Sequence, residues 1–122
     1  MKIAVTAKDS KMDSEVDPRF GRCRYFLIID TDTMSYESIS NESAMSSGGA
    51  GIQAAQNVAK TGAKAILTGN MGPNAFHTLS AAEIKVYTGA NGTVKDAIEK
   101  FKKGELKEAA APNVGSHFGM RR

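Results

Sequence analysis

The chain has 122 residues, a net charge of +3 and one cysteine. That length fits one domain with a real core; the charge is too mild to mark a nucleic-acid binder, and a lone thiol excludes an internal disulfide. No run approaches the roughly 18 apolar residues of a membrane span, and the opening Met1-Lys2-Ile3-Ala4-Val5 carries no secretory pattern, so a cytoplasmic protein without membrane or nucleic-acid partners is expected.

Residues 2–7 read as a first strand, with Ile3 and Val5 on one face. A polar, turn-rich loop follows through Asp17-Pro18-Arg19-Phe20-Gly21-Arg22-Cys23-Arg24. Residues 25–29 are continuously apolar, as in a central strand covered on both faces. Asp30 and Asp32 are read as turn formers, because no glycine or glutamate follows where a calcium loop needs one. Residues 36–40 form a more polar edge strand.

After Asn41 the pattern becomes helix–strand alternation. A helix over 51–61, with Ile52, Ala55, Val58 and Ala59 at helical spacing, is capped by Gly62. A strand over 63–68, a helix over 73–81 opened by Pro73, and a strand over 84–87 come next. Thr93 caps a third helix with Val94, Ala97, Ile98 and Phe101 on its inner stripe, and Gly104 ends it. One domain over 1–104 with a flexible tail over 105–122 is expected.

An antiparallel meander of three strands, followed by right-handed crossovers, gives an α/β fold. It is a five-stranded mixed sheet in the order 3-2-1-4-5, with strand 2 antiparallel, flanked by three helices. This layout resembles that of ribonuclease H. It puts the three helix N-termini and the loop from Asp17 to Arg24 at one end of the sheet, around the switch point between strands 1 and 4.

Three strand-to-helix turns rich in Gly and Asn lie at that end: Ser46 to Gly51, Gly69 to Asn74, and Gly89 to Thr93. Each is either a tight connection or a place where an anion can approach backbone N–H groups at a helix start. No Walker-type lysine follows, and no G-x-G-x-x-G stands after strand 1, so nucleotide sites are not indicated. Strand 1 carries no carboxylate, and Asp9 lies past its end, which argues against two-metal phosphodiester cleavage. No Ser–His–Asp or Cys–His pairing stands out. Arg19, Arg22 and Arg24 surround Cys23, a setting expected to ease ionisation of the thiol to the form that binds soft metals. The other reading of Cys23 is a small buried side chain at the start of strand 2. His77 belongs to a helix rim. His117 and Met120, in the tail, carry groups that can ligate a metal, or lie in a disordered end.

The segments Asp17 to Phe26, Gly49 to Ala55 and Thr68 to Phe76 resemble the dinitrogenase iron–molybdenum cofactor biosynthesis family, which includes NifX-type proteins and the C-terminal part of NifB. The likeness covers roughly residues 1–103. It implies a ribonuclease H-like fold without nuclease activity, and binding or carriage of an iron–sulfur or iron–molybdenum cluster. Glu83 departs from the pattern, standing where a glycine often precedes strand 5.

Together these readings give a non-catalytic carrier, expected as a monomer, that meets cluster donor and acceptor proteins. Cys23 and His117 are its candidate metal ligands. Arg19, Arg22, Gly49, Gly51, Asn70, Gly72 and Asn74 are the candidates for holding an anionic cluster. The alternative is a regulatory or interaction module that uses the same crevice for a protein partner or a small anion.

Overall fold

The computed structural model describes residues 1–45 and 49–114. Ser46, Ser47, Gly48, His117 and Met120 lie outside the described residues.

Five strands form one sheet: β1 (Lys2–Ala7), β2 (Tyr25–Asp30), β3 (Tyr36–Ser40), β4 (Ala65–Leu67) and β5 (Lys85–Tyr87). The order is β3-β2-β1-β4-β5. β2 runs antiparallel to both neighbours, with Val5 opposite Leu27 and Leu27 opposite Ser38. β4 and β5 run parallel to β1, with Val5 opposite Leu67 and Leu67 opposite Tyr87. The order and senses are those expected from the sequence, and the helices are α1 (Ala50–Ala59), α2 (Pro73–Ala81) and α3 (Val94–Lys102).

Side-chain alternation along the strands creates two cores. Ala4, Phe26, Ile28, Ile66 and Val86 face α1 and α2, where Ala54, Ala55, Val58, Ala75 and Leu79 complete the layer. Ile3, Val5, Leu27, Ile29, Ala65 and Leu67 face α3, through Val94, Ala97 and Ile98. β1 is central and buried at every position but Lys2. β3 is the polar edge foreseen, with only Ile39 partly covered. The buried stripe of α1 runs through Ala50, Ala54, Ala55 and Val58, while Ile52 is 37 % exposed. Gly51 faces Ala75 of α2, and Ile52, about 100° further round the helix, is turned outward.

Local chemistry explains the boundaries. The Asp30 carboxylate accepts from the Asp32 and Thr33 amides (2.8 and 3.4 Å), the turn role read from sequence. Those bonds, the Asp32 amide first, hold its carboxyl below the usual carboxylate range. Thr93 caps α3 reciprocally with Asp96: its hydroxyl accepts from the Asp96 amide (3.1 Å), and the Asp96 carboxylate accepts from the Thr93 amide (3.2 Å).

The turn at Glu83 keeps the glycine conformation without the glycine. Glu83 has φ 62, and the amides of Glu83 and Ile84 donate to the Ser80 and Leu79 carbonyls (both 3.0 Å). That is a Schellman ending with a Cβ in the left-handed region.

The segment 105–114 runs along β5. The Ala109 amide donates to the Val86 carbonyl (2.7 Å), Glu108 bridges to Tyr87, and Leu106 packs on the α3 core. The backbone edge of β5 offers hydrogen-bonding groups, and this segment takes them up.

Glu83→Gly should raise stability by about 0.5–1 kcal/mol, the relieved Cβ strain less the added freedom of the unfolded chain. Urea unfolding of the two proteins measures it; a loss of stability would mean that the left-handed residue is not strained.

Candidate functional site

The strand order reverses between β1 and β4, the place where open α/β sheets form a crevice, and the loop from Asp17 to Cys23 crosses the C-terminal ends of both strands. At its base, the Thr6 hydroxyl donates to the Asp17 carbonyl (2.7 Å) and pairs with the Thr68 hydroxyl (2.9 Å), all three residues being buried. The Pro18 carbonyl accepts from the Asn70 amide (2.8 Å) and from its side-chain nitrogen (3.2 Å), and Arg19 bridges to Asn70 in parallel sense.

Two glycines, Gly21 and Gly69, permit this closeness. A Cβ on Gly69 would sit 2.7 Å from the Pro18 Cα, and one on Gly21 would sit 3.1 Å from both the Cα and the N of Gly51. A Cβ on Gly51 would lie 3.5 Å from the Ala75 Cβ, so the first turns of α1 and α2 meet there. Gly21 and Gly69 therefore seat backbone against backbone, on Gly51 and Pro18 respectively. Gly49 differs: its φ of 73 at the N-cap of α1 requires glycine although the space beside it is open.

The helix starts are unequal. The α3 amides are taken: Val94 donates to the Ser14 carbonyl (2.8 Å), Lys95 to Met12 (3.0 Å), and Asp96 to Thr93. α3 also packs on the other face of the sheet. All three helices start at the end of the sheet where β1 finishes, as expected, since the Val16 amide beside Ala7 donates to the Gly92 carbonyl just ahead of α3 (2.9 Å); the α3 start differs in that its amides are answered. The N-cap residues of α1 and α2, Gly49 and Gly72, have no side chain to cap with, and the first turns of these two helices supply the positive ends of two helix dipoles. Asn74 is exposed in the first turn of α2. The Asn70 and Met71 amides are engaged, by the Pro18 carbonyl and by the Asn113 side chain.

The arginines are held apart. Arg19, 43 % exposed, donates through its backbone N and Nε to one oxygen of Asp17 (3.0 and 3.4 Å). Asp17, a buried carboxylate, was missed in the sequence; its place ahead of Pro-Arg, where an Asp bonds the backbone two residues on, is the signal that could have found it. Arg22 donates through Nη1 to the Ala44 carbonyl (2.7 Å) on the connection to α1. Arg24 lies over the Tyr25 ring, 5.8 Å from its centroid, and Tyr25 packs on the α3 face.

Cys23 corrects the expectation of an easily ionised thiol. It is fully buried beside Phe20 and Phe26, and its Sγ donates to the Phe20 carbonyl (3.2 Å). Asn41 fixes the backbone around it, donating to the Gly21 and Cys23 carbonyls (3.1 and 2.9 Å). Burial pushes the thiol well above its ordinary value, and the Asp17 charge adds to the rise; Arg19 opposes it only weakly. The arginines nearest in sequence point to other partners, so their charge does not stabilise a thiolate. Among the described residues, no three His, Cys, Asp or Glu side chains come together as a metal-binding group. His117 lies outside the described residues, and His77 is exposed on α2, as expected.

Two outcomes check this geometry. Gly69→Ala should cost about 1–3 kcal/mol in urea unfolding, because the Pro18 backbone must move. A thiol whose folded pKa is raised stabilises the protein fully below its unfolded value and progressively less above it. The stability difference between wild type and Cys23→Ala should therefore be flat up to about the ordinary thiol value of 9.0 and shrink at higher pH. A difference that grew with pH would mean an exposed or cation-paired thiolate.

Comparison with known proteins bears on the same segments. The family model described as dinitrogenase iron–molybdenum cofactor matches residues 1–104. The apo form of the orange protein from Desulfovibrio gigas superimposes with a TM-score of 0.91 at 47 % identity, over 93 % of this chain and 96 % of that one. A NifB candidate from Thermotoga gives 0.81 at 34 % identity, over 93 % and 97 %. A dinitrogenase candidate from Methanocaldococcus jannaschii gives 0.69 at 26 % identity, over 92 % and 97 %. The matched residues run from β1 past the end of α3, more than half of the sequence, and the chain belongs to the dinitrogenase iron–molybdenum cofactor family.

Proposed function

We propose that this protein binds and carries an anionic metal–sulfur cluster, of the iron–sulfur or iron–molybdenum kind, and performs no chemistry on it. The observation that carries this reading is the abutment of two helix starts, α1 and α2, at Gly51 and Ala75, with the Arg19 loop seated against both turns. Family membership supports the class of cargo. The similarity to an orange protein whose apo form exists as a separate state supports a coloured group that can leave.

The amides at the start of α1, behind Gly49, and of α2, behind Gly72 and reaching Asn74, would face the anion, with Arg19 as the nearest cation. Arg22 and Asn70 shape the walls, through Ala44 and Pro18 respectively. Cys23 stays in the core as a neutral packing group. Cargo is thus held by electrostatics and hydrogen bonds rather than by a protein thiolate.

The magnitudes fit a carrier. Two helix dipoles contribute about 0.3–1 kcal/mol each, and a charge-assisted bond from Arg19 about 1.5–3. The sum of roughly 2–5 kcal/mol lies near millimolar binding, about 4.1, and short of micromolar, about 8.2. A cluster held this loosely passes to an acceptor without a strong bond to break.

A second reading, an interaction module, rests on Ile52. This apolar side chain is exposed on the first turn of α1, beside the crevice, where a donor, an acceptor or another protein could cover it. Association that survives chelators and brings no visible chromophore would favour that reading.

Protein supplied anaerobically with iron and sulfide, with or without thiomolybdate, should develop visible charge-transfer absorption. Arg19→Gln should weaken binding about tenfold, 0.5 M salt should weaken it further, and Cys23→Ala should leave the spectrum unchanged. Loss of colour in Cys23→Ala alone would restore the thiol as a ligand.

A further inference from the structure

The chain beyond α3 returns to the crevice. After the segment that lines β5, Asn113 reaches the Asn70–Met71 turn and forms three hydrogen bonds there. Its side-chain oxygen accepts from the Met71 amide (2.8 Å), its own amide donates to the Met71 carbonyl (3.1 Å), and its side-chain nitrogen donates to the Asn70 side-chain oxygen (3.1 Å). Asn113 lies outside the stretch that the family model matches.

Two of these contacts fall on groups that matter to the rim. Met71 precedes Gly72, the N-cap of α2, so its N–H belongs to the same turn as the amides that start the helix. An oxygen of Asn113 occupies that N–H. The Asn70 side chain is spent twice, on the Pro18 carbonyl and on Asn113. The Met71 side chain is buried in the core, so the turn cannot swing away to present its amide elsewhere. Asn113 itself is exposed and held by a segment with few core contacts, the kind of element that opens at low cost.

Resting on the cluster-carrier reading above, we propose that Asn113 is a latch on the binding site: its side-chain oxygen stands in for a ligand atom at the Met71 N–H. An anion that takes this amide displaces Asn113, and the segment 105–114 loosens from β5 with it. By the same linkage, whatever detaches that segment raises the affinity of the crevice, and whatever holds it down expels the cargo. Asn113 is thus a positioning residue for the turn and a competitor for its free donor.

The test uses the full chain and two substitutions with opposite expected signs. Asn113→Ala removes the competing oxygen. Asn113→Asp keeps an acceptor on Met71, strengthens it with charge, and sets a negative group beside the incoming anion. With tetrathiomolybdate as the probe anion, Asn113→Ala should bind about fivefold tighter than the native chain and Asn113→Asp weaker, the first being the effect of one hydrogen bond no longer in competition. Amide exchange read by NMR should show the Met71 N–H protected in the native chain and in Asn113→Asp, and exposed in Asn113→Ala. A residue that merely braced the turn would give the reverse, looser binding on removal. Equal or weaker binding by Asn113→Ala, with the native chain binding the probe, overturns the latch and leaves the carrier reading standing. Absence of binding by all three proteins overturns the carrier reading, and the latch with it.

Discussion

The contact on which the rest of the site depends is the seating of the Pro18–Gly21 loop against two turns at once, with no side chain between the backbones. Gly69 lies under Pro18 and Gly21 lies on Gly51, and the Pro18 carbonyl takes both the amide and the side-chain nitrogen of Asn70. These few bonds set how far apart the first turns of α1 and α2 stand. They also set where Arg19 emerges, since its guanidinium is tied back to a buried carboxylate two residues earlier. Close packing transmits such a constraint well, because an interior at crystal-like density has no slack to absorb a shift. Gly21 and Gly69 are packing devices, whereas Gly49, Gly62, Gly89 and Gly104 turn the chain at positive φ with open space beside them.

Electrostatics in the crevice is a balance rather than a positive well. Asp17 offsets Arg19 and also discourages ionisation of Cys23. The net attraction for an anion then comes from helix ends that cannot be neutralised by proton uptake.

The fold was legible in the sequence because its signals were periodic and local. The continuous apolar run of residues 25–29 marked a covered strand, Pro73 marked the first turn of α2, and the stripe from Val94 to Phe101 marked α3, each where the structure has it. The crossover rule then fixed the sheet order. The site was less legible because it depends on partners far away in the chain. Spacing alone put three arginines around Cys23, and nothing local tells that one turns to Asp17, one to Ala44 and one to the Tyr25 ring. Nor could periodicity tell that the α3 amides are answered by the carbonyls of Met12 and Ser14 from the loop after β1. Asn113 gave no signal at all, because its role comes entirely from a meeting 42 residues back in the chain.

The central position of β1 bears on how the molecule is made. β1 has its antiparallel neighbour close by in the chain, since Ala7 pairs with Tyr25. Its parallel neighbour arrives much later, with Ile3 waiting for Ala65. Until β4 pairs, the edge of β1 opposite β2 has no partner in the sheet. Closing the long loop is an entropic cost that must be met before β4 can contribute. The edge of β1 that faces β4 is thus the part of the sheet whose pairing spans the longest stretch of chain, and contacts of that kind slow the folding of small domains.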